Sequence, residues 1–314
     1  MGSPKYAQVI LEKINEIFGV VGVITQPDKR AGRGKSIQSP PVKVFAQGKK
    51  IPFIQPEDLT TKEVHHVLSE WDPDVIIVAA FGKILRSHIL NLPRFGCVNV
   101  HASFLPKWRG ASPIQAAILY GDQTSGVTII KMDEGIDTGD IISQKEINVS
   151  ESETAKTLTE IMSVIGAELL IESLPRYIKG EVVLKKQSEE NVTYAGLIKK
   201  QDGILNFHNK AEDLERKIRA YNPWPICFFG RRGNNLKVYE ARVLKSHHLE
   251  PGQTGIIDKY PCVGTKSFDL QLVVVQMPGK QKINGKVFLN GVRNWIENNP
   301  KIVENNNLRK KNEK

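Results

Sequence analysis

Apolar residues recur at Tyr6, Ala7, Ile10, Leu11, Ile14, Ile17 and Phe18, the spacing of one helical face. Ser3 and Pro4 precede them as N-cap and first helical residue. VVGVIT (20–25) reads as a buried strand. A helix ahead of the first strand implies a strand ahead of Met1, so the sheet is expected to lack its first strand, with poor solubility or a substitute pairing there. Helices at 41–48, 60–71 and 83–91 then alternate with strands near 52–55, at 74–80 (DVIIVAA) and at 97–100 (CVNV). Nearly all-apolar strands of this kind mark a parallel sheet covered on both faces. Ser112-Pro113 opens another helix, followed by strands at 126–132 and 141–149 around the loop DEGIDTGD (133–140). Ser152 caps a long helix with Leu158, Ile161, Ile165 and Leu169 on one face, ending about Pro175.

Alternation of this kind predicts an α/β domain over 1–180, a doubly wound, mostly parallel, Rossmann-like sheet. EVVLKKQSEENVTYAG begins an extended linker, 181–202. Beyond it a helix at 210–220 precedes short strands at 226–229, 236–244, 254–258, 261–264 and 269–277, separated by Gly, Pro and Asn. That pattern predicts a small OB-like β-barrel over 203–300, with a polar tail at 301–314.

Charge sharpens this division. Residues 201–314 carry 20 Lys and Arg against 11 Asp and Glu, whereas residues 1–200 carry 24 against 23. A basic module appended to a balanced one points to a polyanionic partner, nucleic acid first. Cys97, Cys227 and Cys262 have no metal-ligand spacing and read as small buried hydrophobes in a reducing compartment. No stretch is long and apolar enough to span a bilayer, and MGSPKYAQVI has no signal-peptide pattern, so a cytoplasmic location is expected, with no membrane contact.

The chemistry concentrates in NVHASFLPKWRG (99–110). Alternate side chains of a strand share a face, so Asn99 and His101 project together at the carboxyl end of a central strand, where open α/β sheets bind ligands. An Asn amide donates to a developing oxyanion, and a His donates or moves a proton. The competing reading is a core Asn and His that satisfy loop backbone. The loop after the next strand adds Asp133, Glu134, Asp137 and Asp140. One of them could orient the imidazole as the third member of a triad, or all could form a solvated acidic turn. KRAGRGKS fails as a P-loop, because Lys29 stands where that pattern needs glycine.

GCVNVHASFLPKWRGASPIQ, with Asp137 in MDEGIDTGDII, resembles the folate-dependent formyltransferase family. TQPDKRAGRGK (25–35), LERKIRAYNPWP (214–225) and PGKQKINGKVFLNG (278–291) resemble its tRNA-directed branch, and the likeness runs nearly the full length. The resemblance implies formyl transfer from 10-formyltetrahydrofolate to the α-amine of methionine on initiator tRNA, without a metal, and no obligate protein partner is inferred from it. It makes Asn99 and His101 the oxyanion donors, with Asp137 holding His101 directly or through water. It assigns Ser103, Phe104, Leu105 and Pro106 to the folate, with Phe104 in place of the usual leucine. Phe81, Gly82, Ile84 and Leu85 would wall the pterin pocket. Arg33, with Arg30 and Lys35, would touch the acceptor end of tRNA, and Arg216 and Arg219 are candidates for its backbone. Small-molecule formyltransferases and a formyltetrahydrofolate hydrolase remain alternatives, since they would use the same three residues.

Overall fold

Helix α1 (Lys5–Ile17) forms where the apolar spacing places it and buries Tyr6, Ala7, Ile10, Leu11 and Ile14. Its start differs from the expectation: Pro4 is the N-cap, without a side-chain bond. The Ser3 hydroxyl instead accepts from the Gln26 amide at 3.0 Å. The computed structural model describes residues 1–31, 36–246, 248–292 and 294–296. The chain divides into two compact units: Met1–Ala117, Gln123–Val149 and Thr157–Leu197 form the first, and Ile118–Asp122, Ser150–Lys156 and Ile198–Lys314 the second. Of the segment 181–202, residues through Leu197 thus cluster with the first unit.

The first unit continues with β1 (Val23–Ile24), β2 (Lys29–Ala31), β3 (Ser36–Gln38), α2 (Pro41–Gly48), β4 (Phe53–Ile54), α3 (Lys62–Trp71), β5 (Ile76–Val78), α4 (Ser87–Leu90) and β6 (Cys97–His101). β1 pairs in parallel with β4, and β5 with β6. Met1 and Gly2 lie between β1 and β5: the Gly2 amide donates to the Ile24 carbonyl at 3.1 Å, and the Ala79 amide to that of Met1 at 3.0 Å. A cavity of about 150 Å³ opens beside them, lined by apolar side chains of α1, β1 and α3.

β7 (Arg109–Gly110), α5 (Pro113–Tyr120), β8 (Thr124–Lys131), β9 (Asp140–Asn148), α6 (Ala155–Ile178) and β10 (Tyr194–Ala195) follow. β8 lies between β6 and β9 and runs antiparallel to both. The sheet β5-β6-β8-β9 therefore holds one parallel and two antiparallel pairs, a correction to the mostly parallel sheet expected. Residues 125–130 of β8 are all buried. A strand covered on both faces gives an unbroken apolar run whichever way its neighbour points, so the run does not report direction. α6 continues past Pro175 to Ile178.

The second unit contains α7 (Ala211–Ala220), β11 (Cys227–Arg231), β12 (Asn234–Leu244), β13 (Thr254–Ile257), β14 (Tyr260–Gly264), β15 (Asp269–Gln276), β16 (Ile283–Asn284) and α8 (Gly285–Gly291). The strands form an antiparallel sheet in the order β11-β12-β15-β14-β13, with β16 on β15. Among the described residues no pairing joins β11 to β13, so the sheet is open where a barrel was expected. Phe207 meets Phe229 edge-on at 5.0 Å between ring centres, inside a core with Leu236, Val238, Leu270 and Val275.

All three cysteines are free and buried, and burial pushes each thiol up to about 12. A thiol with so little thiolate at neutral pH is a poor nucleophile. Titration of the native protein with an aromatic disulfide reagent at pH 8 is expected to give no fast phase, with all three thiols reacting only after denaturation. A fast native phase would contradict this. Among the described residues no helix is long and apolar enough to cross a membrane.

Candidate active site

β6 ends in buried Asn99 and His101, whose side chains share a face as the alternation requires. β8 leaves the sheet opposite Val98, and the loop 132–139 folds over so that Asp137 reaches Asn99 and His101 before the chain returns as β9. The Asn99 amide donates to Asp137 Oδ1 at 3.1 Å. Asp137 Oδ2 accepts from the Gly110 backbone amide at 2.8 Å and lies 3.5 Å from His101 Nδ1. His101 Nε2 faces the Trp108 carbonyl at 3.0 Å. A carbonyl can only accept, so Nε2 carries a hydrogen and Nδ1 is the nitrogen presented to the carboxylate.

The four loop carboxylates therefore separate. Asp133 Oδ1 accepts from the Gly135 amide and, at 2.7 Å, from the Thr138 hydroxyl, closing the turn on itself. Glu134 accepts from the Ser87 hydroxyl. Asp140 pairs with Lys131 in the β8–β9 ladder. Asp137 alone of the four meets both Asn99 and His101, with 14% of its side chain exposed. Its backbone sits at φ +54°, a left-handed conformation that costs a non-glycine residue about 1 kcal/mol.

Several supports for this geometry were not visible in the sequence. The Gly110 amide, the Trp108 carbonyl and Thr128 are three of them. The Thr128 hydroxyl donates to the Ser103 carbonyl at 2.7 Å and accepts from the Leu105 amide at 3.1 Å, fixing the turn after β6. Only a hydroxyl, donor and acceptor at once, fills both roles. The backbone groups carry no side-chain signature at all.

The residues assigned to the folate fall into two sets. Leu105 packs with Ile130 and Ile141, and Phe81 and Leu85 belong to the core around Ile24 and Ile76. Ser103 is buried and donates to the Lys107 carbonyl at 2.6 Å. Phe104 and Ile84 are the exposed apolar members, and Pro106 is half-buried. Gly82 is at φ +71°, and a Cβ there would meet Gln26 Nε2 at 2.8 Å. That same amide donates to the Phe81 carbonyl, so it ties the 25–26 turn to the 81–85 segment.

Arg33 and Lys35 lie outside the described residues; Arg30 is exposed in the β2–β3 hairpin. Arg216 bonds Asp213 and the Leu119 carbonyl, and Arg219 bonds Glu215 at 2.7 Å and the Glu153 carbonyl at 2.9 Å. Elsewhere in the second unit, basic groups rest on aromatic rings: Lys282 Nζ lies 3.8 Å from the Tyr239 ring centre and Lys286 Nζ 4.7 Å from that of Tyr260. Among the described residues no group of three or more His, Cys, Asp and Glu could hold a metal ion.

An Asn–His–Asp cluster at the end of a sheet strand, in an α/β unit followed by an antiparallel unit, defines a class. The chain belongs to the formyl transferase family: residues 2–174 match the formyl transferase domain and residues 197–293 the formyl transferase C-terminal domain. It is 42% identical over 303 residues to methionyl-tRNA formyltransferase of Thermotoga maritima, covering 93% of this chain and 96% of the relative. It is 41% identical over 292 residues to methionyl-tRNA formyltransferase of Coxiella burnetii, covering 92% and 93%. A solved sugar 3N-formyl transferase, crystallised in the presence of dTDP and 5-N-formyl-THF, shares the fold at 20% identity and a TM-score of 0.64, over 89% of this chain and 97% of that one.

Proposed function

We infer that this chain transfers the formyl group of 10-formyltetrahydrofolate to the α-amine of methionine esterified to initiator tRNA, in the cytoplasm, giving formylmethionyl-tRNA for translation initiation. The observation that carries the reading is the meeting of Asn99, His101 and Asp137 in a chain 42% identical to such an enzyme over 93% of its length. The amine nitrogen attacks the formyl carbon, the bond from that carbon to the folate nitrogen breaks, and one amine proton goes to the departing nitrogen. Asn99 has a second amide hydrogen beyond the one given to Asp137, available to the formyl oxygen as negative charge grows there. His101, fixed through Nε2, presents Nδ1 together with the Asp137 carboxylate to the amine proton. The exposed rings and methyls of Phe104 and Ile84 suit an aromatic ligand of the pterin kind.

The first unit is read as a Rossmann-like catalytic domain, and the second as an OB-like domain for the tRNA. Arg30, Arg33 and Lys35 are placed at the acceptor end, where Arg contacts phosphate bidentately and stacks on an unpaired base. Arg216 and Arg219 are already held by carboxylates and carbonyls, which leaves Lys282 and Lys286 as stronger candidates for phosphate. Replacing Lys282 and Lys286 with Ala is expected to weaken tRNA binding and to reduce the slope of log affinity against log salt by about one for each. An unchanged slope, measured by filter binding across a salt series, would remove them from the interface.

The function is tested by transfer of labelled formyl from 10-formyltetrahydrofolate to initiator and elongator Met-tRNA. Strong preference for the initiator is expected. Equal transfer to both overturns the specificity. Transfer only to a small amine, or release of formate without an acceptor, moves the chain to the small-molecule branch or to the hydrolases.

A further inference from the structure

We propose that Gln187 is a positioning residue for formyl transfer, acting through the backbone of the Asp137 loop. This rests on the reading of Asn99, His101 and Asp137 given above. The side-chain amide of Gln187 donates to the Asp137 and Gly139 carbonyls, both at 2.8 Å. Its own oxygen accepts from Arg109 Nε at 3.0 Å. Both N–H groups and the carbonyl are therefore committed at once. Arg109 is only 1% exposed, and its other end meets Glu189 Oε1 at 3.4 Å.

The two carbonyls that Gln187 holds bracket the part of the loop that must stay still. Asp137 is at φ +54°, and a Cβ on Gly139 would lie 1.9 Å from the Lys131 carbonyl. The chain there is drawn tightly against β8 in a conformation that a free loop would not keep. Pinning residues 137 and 139 by one planar amide fixes the peptide planes that flank the Thr138–Gly139 pair, 137–138 and 139–140. The carboxylate then points at Asn99, His101 and the Gly110 amide.

The segment that follows Gln187 braces the opposite side of the site. The Thr193 hydroxyl accepts from the Trp108 amide at 2.9 Å. The Thr193 carbonyl accepts from the Arg109 amide at 2.9 Å, and the Ala195 carbonyl from the Ala111 amide at 2.8 Å. Residues 108–111 supply the carbonyl that holds His101 and the amide that holds Asp137. One segment, 187–195, thus steadies both partners of the imidazole.

The test compares Gln187→Ala and Gln187→Glu with the parent and with Asp137→Ala, in single-turnover and steady-state formyl transfer. Gln187→Glu keeps the shape and the acceptor for Arg109 but sets an oxygen against two carbonyls. Both substitutions are expected to lower kcat roughly ten- to hundredfold. KM for the folate and for Met-tRNA should stay within about twofold, because the losses fall on the reacting geometry. In the double variant with Asp137→Ala, loss of Gln187 should add little, since residues acting as a unit are not additive. A merely structural role would lower the melting temperature and leave kcat per active molecule unchanged. Unchanged kcat in Gln187→Glu, or full additivity with Asp137→Ala, overturns the proposal while leaving the triad intact. Full turnover by Asp137→Ala overturns both.

Discussion

His101→Ala is expected to lower the rate of formyl transfer by about 10³-fold, the largest single effect in the protein. Two losses combine. In the proposed mechanism the imidazole edge facing Asp137 at 3.5 Å is the proton-transfer partner, and such partners contribute roughly 10²–10⁴. On the same reading, Asn99→Ala removes the donor to the growing oxyanion together with its 3.1 Å bond to Asp137, and should cost roughly 10²–10³. Because His101 is 5% exposed, its removal also strands the Trp108 carbonyl and opens a cavity. His101→Asn and His101→Gln serve as companions that refill part of the space. The measurement is single-turnover transfer at saturating folate and tRNA, with circular dichroism on each variant. More than a tenth of parental turnover in a folded His101→Ala protein would sink the mechanism.

Gly110→Ala is the second large effect, and it reaches activity through the backbone. Gly110 stands at φ +115°, a region closed to alanine, and a Cβ there would lie 2.6 Å from the Ala195 carbonyl. That carbonyl is backbone of β10, so it cannot swing aside as a side-chain tip would. Strain and overlap together should destabilise the first unit by about 2–4 kcal/mol. The same residue's amide holds Asp137 Oδ2 at 2.8 Å. Opening the β7–β10 pair moves that amide, and a displacement near 1 Å is enough to lower the rate about 10²-fold. Gly180→Ala is the control: its φ is +74°, but nothing lies within 4 Å of the added carbon. It should lose about 1 kcal/mol and no activity. The two variants are compared by thermal melting and by kcat. Similar losses in both would show that conformational strain alone is at work and that the Ala195 contact is irrelevant.

The shared face of Asn99 and His101 was legible because it follows from local rules. Asn99 and His101 are two residues apart in an apolar run, and a strand repeats every two residues. The helices followed in the same way: α1, α2 and α7 begin and end within a few residues of the sequence expectation. The three buried cysteines were legible from their spacing and number. The full candidate set of carboxylates was visible too, but not the choice among them. Asp133, Glu134 and Asp140 carry the same charge in the same loop as Asp137. Only the folded loop, in which Asp133 closes the turn on itself and Asp140 enters the β9 ladder, decides that Asp137 is the one that reaches β6.

Residue types and periodicity therefore determined the elements, the apolar cores, the basic character of the last third and the shared face of Asn99 and His101. Those properties depend on neighbours within a few positions, and a sequence records them directly. Strand direction within the first sheet, the open edge between β11 and β13, the Gly110 amide behind Asp137 and the Arg109–Gln187 brace were settled only in three dimensions. Gln187 lies 50 residues from Asp137 and 78 from Arg109. Its partners are backbone carbonyls, which every residue possesses, and an arginine that sequence alone would place on the surface. A hydrogen bond to backbone leaves no mark on the identity of its partner, so only the packed chain discloses it.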